Sequence, residues 1–350
     1  MVAPAMQDLI HHLSSGRHLT PRHVADATTF LTDPAPTPER KAAFLKALAK
    51  KGESPEEIAG FVTEFLKLAV DPGINSATLP GPMLDVVGTG GDKLNLFNIS
   101  TTAVFILAGG GVCMVKHGNR GITSKSGGAD VLEAMGVKIE MAPEKLERCA
   151  REVGVAFVFA PLYHPAFAAV KEARALLAKE GQRSIFNILG PLLNPARPEH
   201  QLVGVFDPKL TSGFGEILRM LGRKSAWVVH GMANEGQGMD ELSTMGKNEV
   251  VQVSGDKLTA LTLDPAELGY DKPSLADLAG GDATVNADIL EGILAGRIKG
   301  PKRDIAVFNA AAGFVITGLA PDIGEGRRMA EDVLDRGAAH ARLRALQDFC

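Results

Sequence analysis

The stretch Asp85-Val-Val-Gly-Thr-Gly-Gly-Asp92, followed by Asn98-Ile-Ser-Thr101, indicates the fold class of this chain most clearly. The apolar residues Leu84–Val87 predict a buried strand, and the three glycines that follow predict a tight loop. Asn98 or Ser100 can cap a helix that leaves the loop. The stretch therefore predicts a strand, a glycine-rich loop and a helix in succession.

Phosphate or diphosphate is the ligand expected at such a loop. Glycines let backbone N–H groups approach a ligand, and a helix N-terminus adds partial positive charge. A glycine-rich loop taken alone is also consistent with an ordinary turn. This loop matches neither the P-loop lysine pattern nor the dinucleotide fingerprint, which argues against ATP and NAD.

Short apolar runs alternate with helices from Met83 onward. The runs predicted as buried strands are Leu84–Val87, Val112–Val115, Val137–Ile139, Ala156–Phe159, Leu202–Phe206 and Ala226–Val229. Helices are predicted between them at about 100–108, 127–135, 143–152, 165–179 and 211–221, followed by a strand pair near 249–260 and helices at about 286–295, 306–317 and 324–347. This alternation is typical of an α/β domain with a mostly parallel central sheet.

The N-terminal part of the chain instead predicts a small all-helical domain. Thr20, Thr37 and Ser54 each precede a proline, which places a capping oxygen directly before the first helical position. Glu57 completes a capping box with Ser54. We expect a small domain over residues 1–72, against which helix 165–180 packs, a linker near 71–82, and a large α/β domain over residues 83–350.

Composition restricts the class of protein further. The chain has 350 residues and a formal net charge of −4, which argues against a general affinity for nucleic acids. The three cysteines, Cys113, Cys149 and Cys350, show neither a disulfide framework nor a zinc spacing. Neither a signal peptide nor a membrane-spanning run is visible, so we expect a cytoplasmic protein without a membrane partner.

Two further clusters have the composition of anion-binding loops. Lys116-His-Gly-Asn-Arg120 follows a predicted strand, where open α/β sheets bind their ligands. Thr123-Ser-Lys-Ser-Gly-Gly-Ala-Asp130 leads into a predicted helix. Each could be a solvated polar loop, but three such loops are hard to explain as independent turns.

Asp240 and Glu241 are candidate magnesium ligands. They follow the predicted strand at 226–229 and the glycine-rich segment 231–238. Mg²⁺ prefers a few carboxylates together with water and phosphate oxygens. Alone, the pair would indicate a solvated surface, and the prediction depends on the diphosphate loops found elsewhere in the chain.

Taken together, these motifs resemble those of the anthranilate phosphoribosyltransferases. The resemblance is carried in order by 88–92, 98–101, 116–120, 129–133, 186–195 and 240–241, and it extends over nearly the whole chain. It implies a small helical domain and a large α/β domain of the nucleoside-phosphorylase type, usually assembled as a homodimer. It also implies transfer of a phosphoribosyl group from phosphoribosyl diphosphate to the amine of anthranilate, with Mg²⁺, in tryptophan biosynthesis.

The resemblance implies a role for each matching residue, and no covalent nucleophile. Magnesium would be bound by Ser100, Asp240 and Glu241, and anthranilate by Gly88, Asn119 and Arg174. Phosphoribosyl diphosphate would be bound by Gly88, Gly91, Asp92, Asn98, Ile99, Ser100, Thr101, Lys116, His117, Gly118, Asn119, Arg120, Thr123, Ser124 and Gly128.

The chain departs from the family pattern at several positions. Leu96 stands where the family usually has Thr, and Gly128 where it usually has Ser, so two hydroxyl contacts to the phosphoribosyl substrate are missing. Thr123 replaces a usual Ser but keeps the hydroxyl. About three extra residues lie within Leu176–Gln182, which makes Arg183 the alternative to Arg174 as the partner of the acceptor carboxylate.

Two other functions were considered beside this one. A pyrimidine nucleoside phosphorylase has the same fold, but the acidic pair and the 116–120 cluster favour a diphosphate substrate. A non-enzymatic relative that binds nucleic acid would be expected to have a basic surface and an eroded glycine loop. Whether anthranilate or a close analogue is the natural acceptor stays open at this point.

Overall fold

The computed structural model describes residues 6–92, 94–121, 125–234 and 236–350. Four helices form its N-terminal part: α1 (Met6–Ser14), α2 (Pro21–Thr32), α3 (Pro38–Lys51) and α4 (Pro55–Lys67). The Ser54 hydroxyl accepts from the backbone N–H of Glu57, and Glu57 Oε2 accepts from the Ser54 N–H at 2.8 Å, which is the predicted capping box. Thr20 caps α2 with its side chain, whereas Thr37 makes no such bond.

Within the described residues, eight strands form one sheet. They are β1 (Met83–Gly88), β2 (Cys113–Gly118), β3 (Val155–Phe159), β4 (His200–Gly204), β5 (Ser225–Asn234), β6 (Gln237–Met239), β7 (Asn248–Ser254) and β8 (Lys257–Leu263). The order is β3-β2-β1-β4-β5-β7-β8, with β6 beside β5. The neighbours from β3 to β5 are parallel, and β7 and β8 continue the sheet antiparallel. The mostly parallel sheet is therefore confirmed.

Helices connect the strands and cover both faces of the sheet. They are α5 (Ile99–Gly109), α6 (Gly128–Ala134), α7 (Pro143–Val153), α8 (Ala160–Tyr163), α9 (Lys171–Lys179), α10 (Phe186–Leu189), α11 (Leu210–Met220), α12 (Ala283–Leu294), α13 (Pro301–Ile316), α14 (Ile323–Asp335) and α15 (Ala338–Phe349). None of the helices in the described ranges has the length and apolarity needed to cross a membrane.

One predicted strand and two predicted helices differ in the structure. Val137 and Ile139 are buried, but their segment forms no strand, because the Val137 N–H donates to the Leu132 carbonyl and closes the end of α6. The helix predicted at 324–347 is divided at Gly337, which has φ of 73°. The helix predicted at 165–179 begins as a 3₁₀ helix over Pro165–Val170.

The helices pack on opposite faces of the sheet and create two hydrophobic cores. On one face, α5 is buried along nearly its whole length and packs against α13 and α15. On the other face, Phe61 and Phe65 of α4 belong to the same core as Val203 of β4 and Phe214 of α11. Because this second core is continuous across the segment that joins them, the division into domains 1–72 and 83–350 remains a proposal.

Helix α9 packs against α3, in line with the expected contact to the N-terminal helices. The Lys41 side chain of α3 is buried and its Nζ donates to the Asp33 carbonyl at 2.6 Å and the Ala169 carbonyl at 2.7 Å. A buried ammonium needs such partners, since an unpaired one would be costly. The contact therefore ties the chain before α9 firmly to the N-terminal helices.

Candidate active site

A cleft with a volume of about 250 Å³ lies at the carboxyl ends of β1 and β2. Open α/β sheets bind their ligands at this edge. Most of the predicted site residues line it: Gly88, Gly91, Asp92, Asn98, Ile99, Ser100, Thr101, Lys116, His117, Gly118, Gly128, Asp240 and Glu241. The sheet thus brings together motifs that lie up to about 150 residues apart in the sequence.

The glycine loop and the acidic loop fit into each other closely. A Cβ on Gly88 would lie 2.3 Å from Asp240 Oδ2, and a Cβ on Gly204, its partner on β4, would lie 1.6 Å from the Asp240 carbonyl oxygen. Asp240 Oδ2 also accepts a hydrogen bond from the Gly90 N–H at 2.6 Å. Only glycine fits at Gly204 against the Asp240 backbone, and a side chain at Gly88 would displace the Asp240 carboxylate from beside the loop.

The N-terminus of α5 is occupied by a carboxylate from the acidic loop. The Ser100 N–H donates to Glu241 Oε1 at 3.2 Å. Asn98 occupies the N-cap position, but its side chain makes no capping bond, which corrects the prediction that Asn98 or Ser100 caps this helix. A carboxyl group is therefore already bound at the helix end where the sequence predicts a phosphate.

Like charges gather around Asp240 and Glu241. Burial, followed by the nearby Asp92, raises the pKa of Asp240 to about 7. Burial, followed by Asp240, raises the pKa of Glu241 to about 8, although Lys116 acts in the opposite direction. Such crowding is unfavourable without a cation. Oxygen ligands in this number suit Mg²⁺, so the residues present fit the expected metal.

The described side chains offer only part of the coordination sphere that Mg²⁺ would require. In the described part of the chain, no group of three or more His, Cys, Asp or Glu side chains is arranged to hold a metal by itself. Mg²⁺ commonly keeps waters and takes substrate phosphate oxygens as further ligands. The Ser100 hydroxyl, the third predicted ligand, lies 3.5 Å from Lys116 Nζ on the same side of the cleft.

Lys116 places a buried ammonium at the base of the cleft. Its Nζ donates to the Val86 carbonyl. Burial lowers the pKa of Lys116, while the carboxylates of Asp85, Glu241 and Asp240 act in the opposite direction. Beneath it, Asp85 is fully buried, and its carboxylate accepts from the His117 N–H at 3.3 Å and from Asn194 Nδ2 at 3.0 Å. Burial, only partly offset by Lys116, raises the pKa of Asp85 to about 6.

A row of aromatic rings leads away from His117. The His117 and His164 rings lie 5.2 Å apart, and His164 stacks on Phe167 with ring centroids 5.1 Å apart. Burial lowers the pKa of His117 to about 3 and that of His164 to about 4, so both rings are neutral at pH 7. The Nε2 atom of each is buried without a hydrogen-bond partner among the described residues. The row is therefore largely buried, it reaches the cleft at His117, and it contains two ring nitrogens that have no partner among the described residues.

The two candidate arginines lie in different surroundings. The Arg174 guanidinium lies 5.2 Å from the Phe186 ring, and Phe186 in turn contacts Phe167 of the aromatic row. Arg183 instead stacks over Phe206 at 4.2 Å, and its Nη2 lies 3.8 Å from the position of a Cβ on Gly91. Arg174 thus extends the aromatic row, whereas Arg183 approaches the glycine loop.

Other predicted residues lie outside the lining of the cleft. The exposed Arg120 pairs with Glu133 at 2.8 Å and with Glu140 at 3.6 Å, and the side chain of Asn119 accepts from the Arg120 N–H. These contacts do not bring either side chain to the cleft. Thr123 and Ser124 fall outside the described ranges.

The two positions that depart from the family pattern both line the cleft. A Cβ on Gly128 would lie 3.1 Å from Thr101 Oγ1 and 3.6 Å from Lys116 Cε, so a serine there would meet a crowded wall. Leu96 forms an antiparallel bridge with Ala279 and packs partly against the core.

Several residues of the cleft were missed by the sequence analysis. Asn95, Phe97, Lys125, Ser126, Gly127, Gly281 and Asn286 line it, and Gly204 shapes it from β4. Lys125 to Gly127 lie within a motif that was recognised, so their composition could have indicated them. Gly281 and Asn286 lie nearly 200 residues from the glycine loop and have no local signal for a ligand.

Comparison with known proteins supports a single family. The model of the α/β domain of the glycosyl transferase family matches residues 80–340, and that of the helical bundle domain of the same family matches residues 7–69. The chain is 41% identical over 345 residues to an anthranilate phosphoribosyltransferase of Haloferax volcanii, covering 98% of this chain and 100% of the relative. It is 42% identical over 341 residues to that of Anaeromyxobacter dehalogenans, covering 97% of each.

Solved structures agree with this comparison. An anthranilate phosphoribosyltransferase from Thermus thermophilus aligns with a TM-score of 0.88 at 37% identity, covering 98% of this chain and 99% of that one. The enzyme from Saccharomyces cerevisiae, in complex with phosphoribosyl diphosphate and magnesium, aligns with a TM-score of 0.87 at 25% identity, covering 98% and 97%. The chain therefore belongs to the glycosyl transferase family, together with the anthranilate phosphoribosyltransferases that it resembles over nearly its whole length.

Proposed function

We propose that the protein transfers the 5-phosphoribosyl group of phosphoribosyl diphosphate to the amine of anthranilate, releasing diphosphate. The observation that carries this proposal is the interlocking of the Gly88–Asp92 loop with Asp240 and Glu241 at the N-terminus of α5. One cleft thereby offers backbone N–H groups, a buried ammonium and crowded carboxylates, which together suit a diphosphate with Mg²⁺. The full-length relatives described above carry this activity in their names.

The phosphoribosyl diphosphate site consists of the glycine loop, the start of α5 and the Lys116 loop. In this proposal Gly88, Gly91 and Asp92 contact the diphosphate, and Ile99, Ser100 and Thr101 at the start of α5 bind phosphate oxygens. For this the Ser100 N–H would exchange Glu241 Oε1 for phosphate, and the Ile99 N–H would exchange the Phe97 carbonyl. The remaining residues assigned on resemblance are Asn98, Lys116, His117, Gly118, Asn119, Arg120, Thr123, Ser124 and Gly128. Of these, Asn119 and Arg120 would have to approach the ligand from the rim of the cleft.

Asp240, Glu241 and Ser100 would hold Mg²⁺, which would neutralise charge on the leaving diphosphate. Breaking the bond between C1 of ribose and the diphosphate oxygen leaves positive charge on the ring, and the anthranilate nitrogen forms the new bond to C1. The nitrogen then loses its proton to solvent or product. Lys116 and the α5 N-terminus stabilise the developing negative charge through fixed donors, so a covalent nucleophile is not required.

The aromatic row from His117 to Phe186 suits the ring of the acceptor. Both histidines are neutral, so they would add no charge beside the acceptor ring. Arg174 lies at the end of the row and would bind the acceptor carboxylate, together with contacts from Gly88 and Asn119. Arg183 is the alternative partner, because the extra residues within Leu176–Gln182 could shift this role along the chain and because its Nη2 lies 3.8 Å from the position of a Cβ on Gly91.

We further propose a homodimer formed through the N-terminal helices. Leu68, Val70 and Leu162 are among the exposed large apolar side chains, with 45%, 37% and 42% of their surface accessible. The Val70 N–H donates to the Tyr163 carbonyl at 2.9 Å, so these residues form one surface beside α4. A second copy of the chain would bury it.

The substrates can be tested directly with a diphosphate-release assay. We expect turnover with phosphoribosyl diphosphate, Mg²⁺ and anthranilate, and at least about tenfold lower kcat/KM with other aromatic amines or nucleobases, because only a ligand with an ortho carboxylate engages the arginine. Chelation of Mg²⁺ should abolish turnover with anthranilate. Phosphorolysis of pyrimidine nucleosides without diphosphate release would instead support the nucleoside phosphorylase alternative and contradict the proposal.

A further inference from the structure

One wall of the cleft is built by two segments that are distant in the sequence. The Phe97 N–H donates to the Leu278 carbonyl at 3.3 Å, and the Gly280 N–H donates to the Asn95 carbonyl at 3.0 Å. A Cβ on Gly280 would lie 2.6 Å from the Phe97 nitrogen, so only glycine allows this approach. The segment before α5 is therefore joined to the turn before α12.

Asn286 of α12 extends this connection into the cleft. Its side chain is 2% exposed, and its Oδ1 accepts from the Gly281 N–H at 2.8 Å. Its Nδ2 donates to Asn98 Oδ1 at 2.8 Å, and Asn98 Nδ2 donates to the Ser126 carbonyl at 3.3 Å. A backbone donor at one end and a backbone acceptor at the other fix the orientation of both amides. The Asn98 side chain is thus held between α12 and the Ser126 loop.

This arrangement explains why Asn98 does not cap its own helix. An asparagine at the N-cap position ordinarily accepts from the backbone N–H two or three residues later. Here Asn98 Oδ1 is already bonded to Asn286, and α5 has no side-chain cap from Asn98. Released from Asn286, the Asn98 side chain could rotate and occupy helix N–H groups that a phosphate would otherwise use.

We propose that Asn286 is a positioning residue of the phosphoribosyl diphosphate site. It holds the Asn98 side chain in the observed orientation and thereby prevents that side chain from competing with phosphate for the N–H groups at the start of α5. This inference rests on the function proposed above. Asn286 acts through Asn98, because its own amide is used by Gly281 and Asn98 and has no strong donor left for the ligand.

A double-mutant cycle tests this role through binding alone. The dissociation constant of phosphoribosyl diphosphate, with Mg²⁺ and without acceptor, would be measured by calorimetry for wild type, Asn286→Ala, Asn98→Ala and the double variant. We expect each single change to weaken binding about tenfold, and the double variant to be within about twofold of the weaker single variant, since both remove one arrangement. Asp282→Ala is the control, because it removes the N-cap of α12 without touching Asn98.

The outcomes separate this inference from the proposed function. Wild-type protein that fails to bind phosphoribosyl diphosphate would contradict both. If the wild type binds and the losses of affinity multiply, to near a hundredfold in the double variant, Asn286 acts independently of Asn98. That result would overturn this inference but not the proposed function. A loss in Asp282→Ala as large as in Asn286→Ala would do the same, since it would indicate a general effect of α12. Should Asn286→Ala not fold, Asn286→Asp keeps the acceptor for Gly281 and enters the same cycle.

Discussion

Asp240→Asn should stabilise the protein in the absence of Mg²⁺ while it impairs catalysis. The carboxylate is crowded by Asp92 and Glu241, and burial is the main reason why its pKa rises from 3.8 to about 7. Between these values the folded state binds more protons than the unfolded state. The free energy of unfolding therefore falls as pH rises from about 4 to about 7, and the full cost of the charge is present above pH 7.

The size of the stabilisation expected from Asp240→Asn follows from the same pKa values of Asp240. The difference between 3.8 and about 7 corresponds to at most about 4 kcal/mol, at 1.36 kcal/mol for each pKa unit. The cleft is open to water, which reduces this cost, and asparagine can still accept from the Gly90 N–H but without the assistance of a charge. We therefore expect Asp240→Asn to gain about 1–2 kcal/mol at pH 8, or roughly 1–3 °C in Tm for a chain of this length.

Thermal unfolding at pH 8 and pH 5, with and without Mg²⁺, measures this directly. The gain should shrink at pH 5, where the wild-type carboxylate is largely protonated, and kcat/KM with phosphoribosyl diphosphate should fall at least about tenfold. Asp348→Asn, which changes an exposed carboxylate at the end of α15, is the matched control and should change neither quantity. A folded Asp240→Asn variant with a lower Tm than wild type at pH 8 without Mg²⁺ would refute the reasoning.

Three further predictions concern the acceptor, the cleft wall and the assembly. Arg174→Ala should raise the KM for anthranilate about ten- to a hundredfold and leave that for phosphoribosyl diphosphate unchanged, because a charge-assisted pair is lost; if only Arg183→Ala does this in steady-state assays, the role belongs to Arg183. Gly128→Ser should change the KM for phosphoribosyl diphosphate by less than about threefold, since the regained hydroxyl is offset by a Cβ only 3.1 Å from Thr101 Oγ1; a larger loss would mean that this wall cannot adjust. Sedimentation at micromolar concentration should show a dimer, and a monomer would contradict the proposed interface beside Leu68.

The sequence predicted those parts of the fold that local patterns control. Proline at the first helical position and the Ser54–Glu57 pair gave the start of α4 to the residue, because capping depends on neighbours within one turn. Strands β1 and β2 were predicted from the short apolar runs Leu84–Val87 and Val112–Val115. Val137–Ile139 was wrong because an apolar run indicates burial, whereas a strand also needs a partner, and here the backbone turns back on α6.

The candidate site was predicted where its residues lie in recognisable loops and missed where they act from a distance. Lys116 lies near the carboxyl end of the parallel strand β2, and Asp240 directly follows β6, so the sheet brings both to one cleft. Asn286 lies in a helix 188 residues from Asn98, and its sequence neighbours give no sign of the cleft. In the sequence, Gly204 resembles any glycine at the end of a strand. Only the structure explains why glycine is required there, because a Cβ would lie 1.6 Å from the Asp240 carbonyl oxygen.

At the N-terminus of α5, unfavourable interactions between neighbouring residues identify the site better than the helix and strand preferences of the local sequence do. The helix begins at Asn98, a preferred capping residue, yet Asn98 is bonded to Asn286 and the Ser100 N–H is bonded to Glu241, 141 residues away. Glu241 lies beside Asp240 at the cost of mutual repulsion, which a fold selected for stability alone would avoid. A doubly anionic ligand bridged by a cation would resolve both features, since the phosphate would occupy the helix N–H groups and the cation would neutralise the carboxylates. The crowding of Asp240 and Glu241 at the start of α5 therefore lowers the stability of the protein without ligand, and binding of the proposed substrate with its cation would relieve it.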